Sequence, residues 1–168
     1  MKKLWALLPV FFLSPYFAFA TNYPVMMNNG TVLINSGVGF GSKISEARQC
    51  PPLTISLDTA VPIAGLPFTL GLISGYFSEA GSSLNLKFLP LAGRIALHPN
   101  LGFRRFDAYI LLTLGSNIMF RSGEPGEVYF WPGIGIGARY FFHPNIGGYA
   151  ELGFDKVQNI SFGFSFKI

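Results

Sequence analysis

One cysteine, Cys50, is all that the 168-residue chain contains, so it cannot form an intrachain disulfide. Ala47-Arg48-Gln49 before it is no lipobox, and it stands too far into the chain for a lipid attachment site. Charge is also scarce. Asp, Glu, Lys and Arg make up 12% of the residues, against about 25% in an ordinary soluble domain. The net charge of +4 falls to +2 without Lys2 and Lys3, which is too mild for a nucleic-acid partner or an acidic substrate. There are two histidines, His98 and His143, and no Cys/His cluster has metal-ligand spacing. No G-x-S-x-G elbow is present. Gly37-Val38-Gly39-Phe40-Gly41-Ser42 is like a phosphate loop only superficially, because no Lys and no helix follow it. Catalysis, a cofactor and a metal are therefore not expected.

Long apolar runs are missing too. After residue 20 there is no stretch of about 18 apolar residues that would make a transmembrane helix. The first 20 residues read differently. Met1-Lys2-Lys3 is basic, Leu4 to Phe17 is apolar, and Ala18-Phe19-Ala20 is a small-x-small cleavage site. That order predicts a secretory signal peptide over 1–20 and a single domain over 21–168.

What is abundant is hydrophobic residues (50%), aromatics (16%) and a period of two. Ile160, Phe162, Phe164, Phe166 and Ile168 alternate with small or polar residues, which predicts a strand with one apolar and one polar face. The pattern recurs over about 31–42, 53–63, 68–77, 84–98, 106–120, 128–142 and 146–155. In the fourth of these the apolar parity changes at Leu89-Pro90, which predicts a bulge. About eight strands joined by short loops predict an up-and-down antiparallel arrangement. A chain this apolar without helical spans predicts a transmembrane β-barrel, which pairs its backbone groups without a continuous apolar run. A soluble lipocalin-like carrier would need the same eight apolar faces to pack inside a lumen that eight strands barely enclose.

The second face collects Asp58, Arg94, His98, Asp107, Arg139, Glu151 and Lys167, with glycines in rows. Folding the fourth and fifth strands about their turn brings His98 to Asp107. Folding about Pro144-Asn145 sets Arg139 opposite or diagonal to Glu151. Charges in a narrow lumen must pair, so a polar plug is expected, with a gate or selective pathway as the alternative. Tyr76, Phe130 and Trp131 are candidates for an interfacial girdle at one rim, with Phe68, Phe106 and Phe142 at the other. Trp131 has lumen parity.

The C-terminal alternation ending Phe164-Ser165-Phe166-Lys167-Ile168 resembles the sorting signal of outer-membrane β-barrel proteins. Gly137-Ala138-Arg139-Tyr140-Phe141-Phe142, Pro144-Asn145-Ile146-Gly147 and Ala150-Glu151-Leu152-Gly153 resemble the last two hairpins of small OmpA/OmpX/OmpW-type barrels. The chain departs from them in ending on Ile168, where Phe is usual. The resemblance implies a bacterial outer-membrane location, lipid contact, and recognition of Ile160, Phe162, Phe164, Phe166 and Ile168 by the barrel assembly machinery. It also implies a periplasmic N-terminus, with the turns after strands two, four and six periplasmic. Both histidines then lie at the periplasmic end, away from outer-leaflet lipid, which speaks against a lipase or acyltransferase. A structural or surface-binding role is expected. A narrow channel for small or apolar solutes is the alternative that OmpW-like barrels suggest.

Overall fold

The computed structural model describes residues 27–40, 48–80, 85–121, 124–154 and 159–168. The expected export signal over 1–20 lies outside them. The strands are β1 (Val32–Phe40), β2 (Arg48–Ile63), β3 (Leu66–Ala80), β4 (Asn85–Leu97), β5 (Phe106–Arg121), β6 (Glu124–His143), β7 (Ile146–Phe154) and β8 (Ile160–Lys167). Each pairs antiparallel with the next, and β8 returns to β1, from Leu33↔Lys167 to Phe40↔Ile160. The fold is a closed, eight-stranded, up-and-down barrel. Closure removes the two free edges of an open sheet. No helix among the described residues is long and apolar enough to cross a membrane.

Alternation sets the two faces. On β2, Leu57 is 52% exposed while Asp58 beside it is 1% exposed. Leucine, isoleucine and phenylalanine cover the outside of every strand, and most polar side chains point into the lumen. The β2–β3, β4–β5 and β6–β7 connections define one end, the near end; the opposite rim is the far end. Between β2 and β3 the turn is only Ala64-Gly65, both at positive φ (51° and 78°). That mirror-image turn matches the right-handed twist of the strands it joins.

Two expectations are corrected. Strands β2, β3 and β6 run further toward the far end than the side-chain pattern suggests. Arg48 pairs with Glu79, and Glu124 with Arg121, because ladder bonds form between backbones whatever the side chains are. Residues 41–47, 81–84, 122–123 and 155–158 lie outside the described residues.

The second correction is that Leu89-Pro90 is not a bulge. β4 holds one register against β5 from Lys87↔Phe120 to Leu97↔Ile110, and keeps its register with β3 on both sides of Pro90. The Pro90 carbonyl accepts from Ser74 Oγ at 3.1 Å. The parity change is real in the sequence, but its cause is that Phe88 faces the lumen. Register shifts occur nearer the rims, between Arg48 and Leu53, at Met119/Arg121 and at Phe141/His143.

Candidate functional site

The buried side chains inside the barrel lie in layers. Nearest the near end, Met27, Leu33, Ala60 and Phe141 form a buried apolar layer. Above it lies a belt of polar side chains that reaches every strand. Ser165 Oγ on β8 donates to Asn35 Oδ1 on β1 (2.5 Å), and Asn35 Nδ2 donates to Ser56 Oγ and Asp58 Oδ2 on β2, both at 2.8 Å. Asp58 Oδ1 is 3.1 Å from Arg94 Nε on β4. Arg94 reaches across the lumen to Glu151 on β7 at 2.6 Å, and Tyr109 on β5 donates to the same Glu151 oxygen at 2.7 Å. Arg139 on β6 donates to Asp107 on β5 at 2.9 Å and lies 3.8 Å from Asp58. His98 Nδ1 lies 2.9 Å from Asp107 Oδ1, and its Nε2 lies 3.0 Å from Thr69 Oγ1 on β3.

Tyr109 is the hub of this belt. Its ring lies under the Arg139 guanidinium at 4.1 Å and tilts against the His98 ring at 5.2 Å. It fits because Gly137 faces it across the β5–β6 ladder; a Cβ there would overlap the tyrosine ring. Three carboxylates therefore face two guanidiniums and one imidazole, all buried. In a low-dielectric interior such groups hold only when each charge has partners, which fixes the register of the strands that carry them.

Arg139 and Glu151 are diagonal neighbours, since Arg139 pairs in register with Tyr149, but they do not form an ion pair with each other. Glu151 goes to Arg94, and Arg139 goes to Asp107. Lys167 stands outside the belt, its Nζ 5.1 Å from the Phe141 ring centre. Ile160, Phe162, Phe164, Phe166 and Ile168 are exposed on the outer wall.

Toward the far end the lumen changes character. Phe77, Phe88, Ala92 and Trp131 form a buried apolar cluster, with Ile73, Leu86 and Met119 packed on it. Phe77 and Phe88 stack at 4.7 Å and 8°. Trp131 is buried in this cluster and so is not part of a rim girdle. Between belt and cluster lies a cavity of about 30 Å³ whose lining includes Arg94, Thr113, Trp131, Glu151 and Ser161.

Thr69, His98 and Asp107 stand in the order hydroxyl, imidazole, carboxylate, as in a nucleophile relay. Thr69 is 2% exposed, however, and the nearby cavity of about 20 Å³ is lined by His98 and Asp107 but not by Thr69. Among the described residues no three His, Cys, Asp or Glu side chains form a group that would hold a metal.

Sequence reading missed Asn35, Ser56, Thr69, Tyr109 and Ser165 in the belt, although their parity marks them as inward. It also missed Phe77 and Phe88, whose inward parity is the available signal.

No family model and no curated protein matches the chain. Solved structures do. A major outer membrane protein from Thermus thermophilus superposes with a TM-score of 0.57 at 12% identity, over 84% of this chain and 100% of that one. Neisserial surface protein A gives 0.57 at 12% identity, over 82% and 96%. A barrel from the de novo design of transmembrane β-barrels gives 0.51 at 18% identity, over 84% and 98%. At these identities the likeness is one of fold: the chain has the closed eight-stranded barrel of these membrane proteins.

Proposed function

We propose that the chain is an integral bacterial outer-membrane β-barrel protein with a structural or surface-binding role, exported by residues 1–20 and plugged along its lumen. The observation that carries this reading is the inversion of the two faces. Leu72 is 61% exposed and Leu114 is 68% exposed, whereas Arg139 is 1% exposed. Water would oppose that outer wall by about 25 cal/mol for each Å² of apolar surface, and hydrocarbon would not. A soluble lipocalin-like carrier needs the opposite arrangement, with its apolar residues lining the lumen. The layered filling of the lumen favours a plug over a channel, as eight strands leave little room beyond their own side chains. The sealed Thr69 hydroxyl speaks against catalysis.

The test is gel migration, heated against unheated, of protein refolded into lipid, with conductance of the same material in planar bilayers. A heat-dependent shift with no conductance is expected. Full solubility in plain buffer without a shift would overturn the membrane reading, and stepwise conductance would overturn the plug.

Strand β8 has a further role in this reading, as the segment that the barrel assembly machinery recognises. Its outward residues Ile160, Phe162, Phe164, Phe166 and Ile168 are exposed on the strand that closes the barrel against β1. Phe166→Ser is expected to lower membrane insertion in cells while refolding into lipid proceeds unaided. Equal loss in both settings would leave β8 with a stabilising role alone.

A further inference from the structure

The three near-end connections are unequal. Ala64-Gly65 closes β2–β3 and Pro144-Asn145 closes β6–β7, two residues each, whereas β4–β5 uses His98 to Arg105, eight residues. This loop is built rather than slack. His98 N donates to the Pro67 carbonyl at 2.9 Å, and Phe141 N donates to the Arg105 carbonyl at 2.8 Å. Gly102 takes a positive φ of 77°, and its N–H donates to Asn100 Oδ1 at 3.1 Å.

The turn holds Leu101 and Phe103 outward, at 49% and 61% exposure, beside the exposed Arg104 and Arg105. The Phe103 ring meets Phe106 of the outer wall edge-on at 6.1 Å, so the apolar wall continues into the loop. Neither arginine has a carboxylate partner among the described residues, and no exposed Asp or Glu there lies at the near end.

Apolar tips beside unpaired guanidiniums, at the level where an apolar wall ends, match the boundary between hydrocarbon and headgroups. Leu101 and Phe103 suit the acyl side. A guanidinium suits a phosphate, which accepts two parallel N–H bonds from it. We propose that the β4–β5 loop binds the phosphate headgroup of an anionic phospholipid in the leaflet at the near end. The proposal rests on the membrane-barrel reading above.

The experiment uses the full chain, folded in zwitterionic micelles and first checked by the heat-dependent gel shift. It is titrated with short-chain phosphatidylglycerol, with phosphatidylcholine of the same chain length, and with inorganic phosphate. NMR follows the Gly102 amide and the Arg104 and Arg105 Nε–H signals. Saturable shifts with phosphatidylglycerol are expected. Arg104→Gln with Arg105→Gln should weaken that binding roughly 25-fold, about fivefold for each basic side chain at an anionic surface. The difference between the two lipids should shrink in added salt. Equal response to both lipids, survival of binding in the double variant, or reproduction of the shifts by inorganic phosphate at the same concentration would overturn the proposal. Each of these outcomes leaves the barrel reading intact. A chain without the gel shift in any lipid would overturn that reading, and this proposal with it.

Discussion

Toward the near end of the lumen, Asp58, Arg94, Asp107, Arg139 and Glu151 meet with His98 inside one hydrogen-bonded belt. Toward the far end, Phe77, Phe88 and Trp131 meet in an apolar cluster. Both halves fill the same bore, yet they resist change differently. The belt depends on direction and on complete pairing, since removing one partner strands another charge away from water. The aromatic cluster depends on volume and shape, and those tolerate a similar side chain.

The largest expected effect follows from breaking the belt at its most shared member. Arg94 serves both Asp58 and Glu151, so Arg94→Met leaves two carboxylates short of a partner. A loss of about 3–5 kcal/mol is expected, read as a lower denaturant midpoint for the gel shift in lipid vesicles. Unfolding at the wild-type midpoint would mean that water reaches the belt, and the contrast between the halves would fail.

Arg94→Lys sharpens the point by keeping the charge. Lysine has no planar fork with which to hold Asp58 through one nitrogen and Glu151 through another. A cost of roughly 1–3 kcal/mol is expected from the weakened contact alone. If Arg94→Lys unfolds like wild type while Arg94→Met does not, charge suffices and direction does not matter.

Phe88→Leu is the matching change in the other half. It keeps an apolar side chain of similar bulk, so a cost under about 1.5 kcal/mol is expected in the same unfolding assay. A cost as large as that of Arg94→Met would show that the stack of Phe77 and Phe88 is as exacting as the ionic belt.

The same contrast explains what was legible in the sequence. Strand period and face follow from neighbours along the chain, as at Leu57 and Asp58. The meeting of His98 and Asp107 is equally local, because one loop joins their strands. Arg94 and Glu151 are different. They sit on β4 and β7, which are not adjacent, and they meet only because the closed barrel brings opposite walls together. Strand parity carries no information on which residues share a level across the bore. Phe88 misled for another reason. A parity rule assigns apolar side chains outward, but far from the belt aromatic rings also point into the bore, where they pack on one another.

The smallest expected effect lies at the boundary of the two halves. Thr113 Oγ1, Trp131 Nε1 and Ser161 Oγ are buried without a partner among the described residues, and all three residues line the cavity of about 30 Å³. A water needs roughly 10–15 Å³ of such space and two to four polar contacts, and this cavity offers both. If water bridges these groups, Thr113→Val removes one of its contacts and costs about 0.5–1 kcal/mol. If the cavity is dry, the same change relieves an unpaired hydroxyl and is neutral or stabilising. The bridged outcome is expected. Emission of Trp131, the sole tryptophan left in a Trp5→Phe background, checks it independently, with a shift to the blue expected in Thr113→Val as the water on the indole N–H is held less firmly. A neutral variant with unshifted emission would place the boundary in the apolar half.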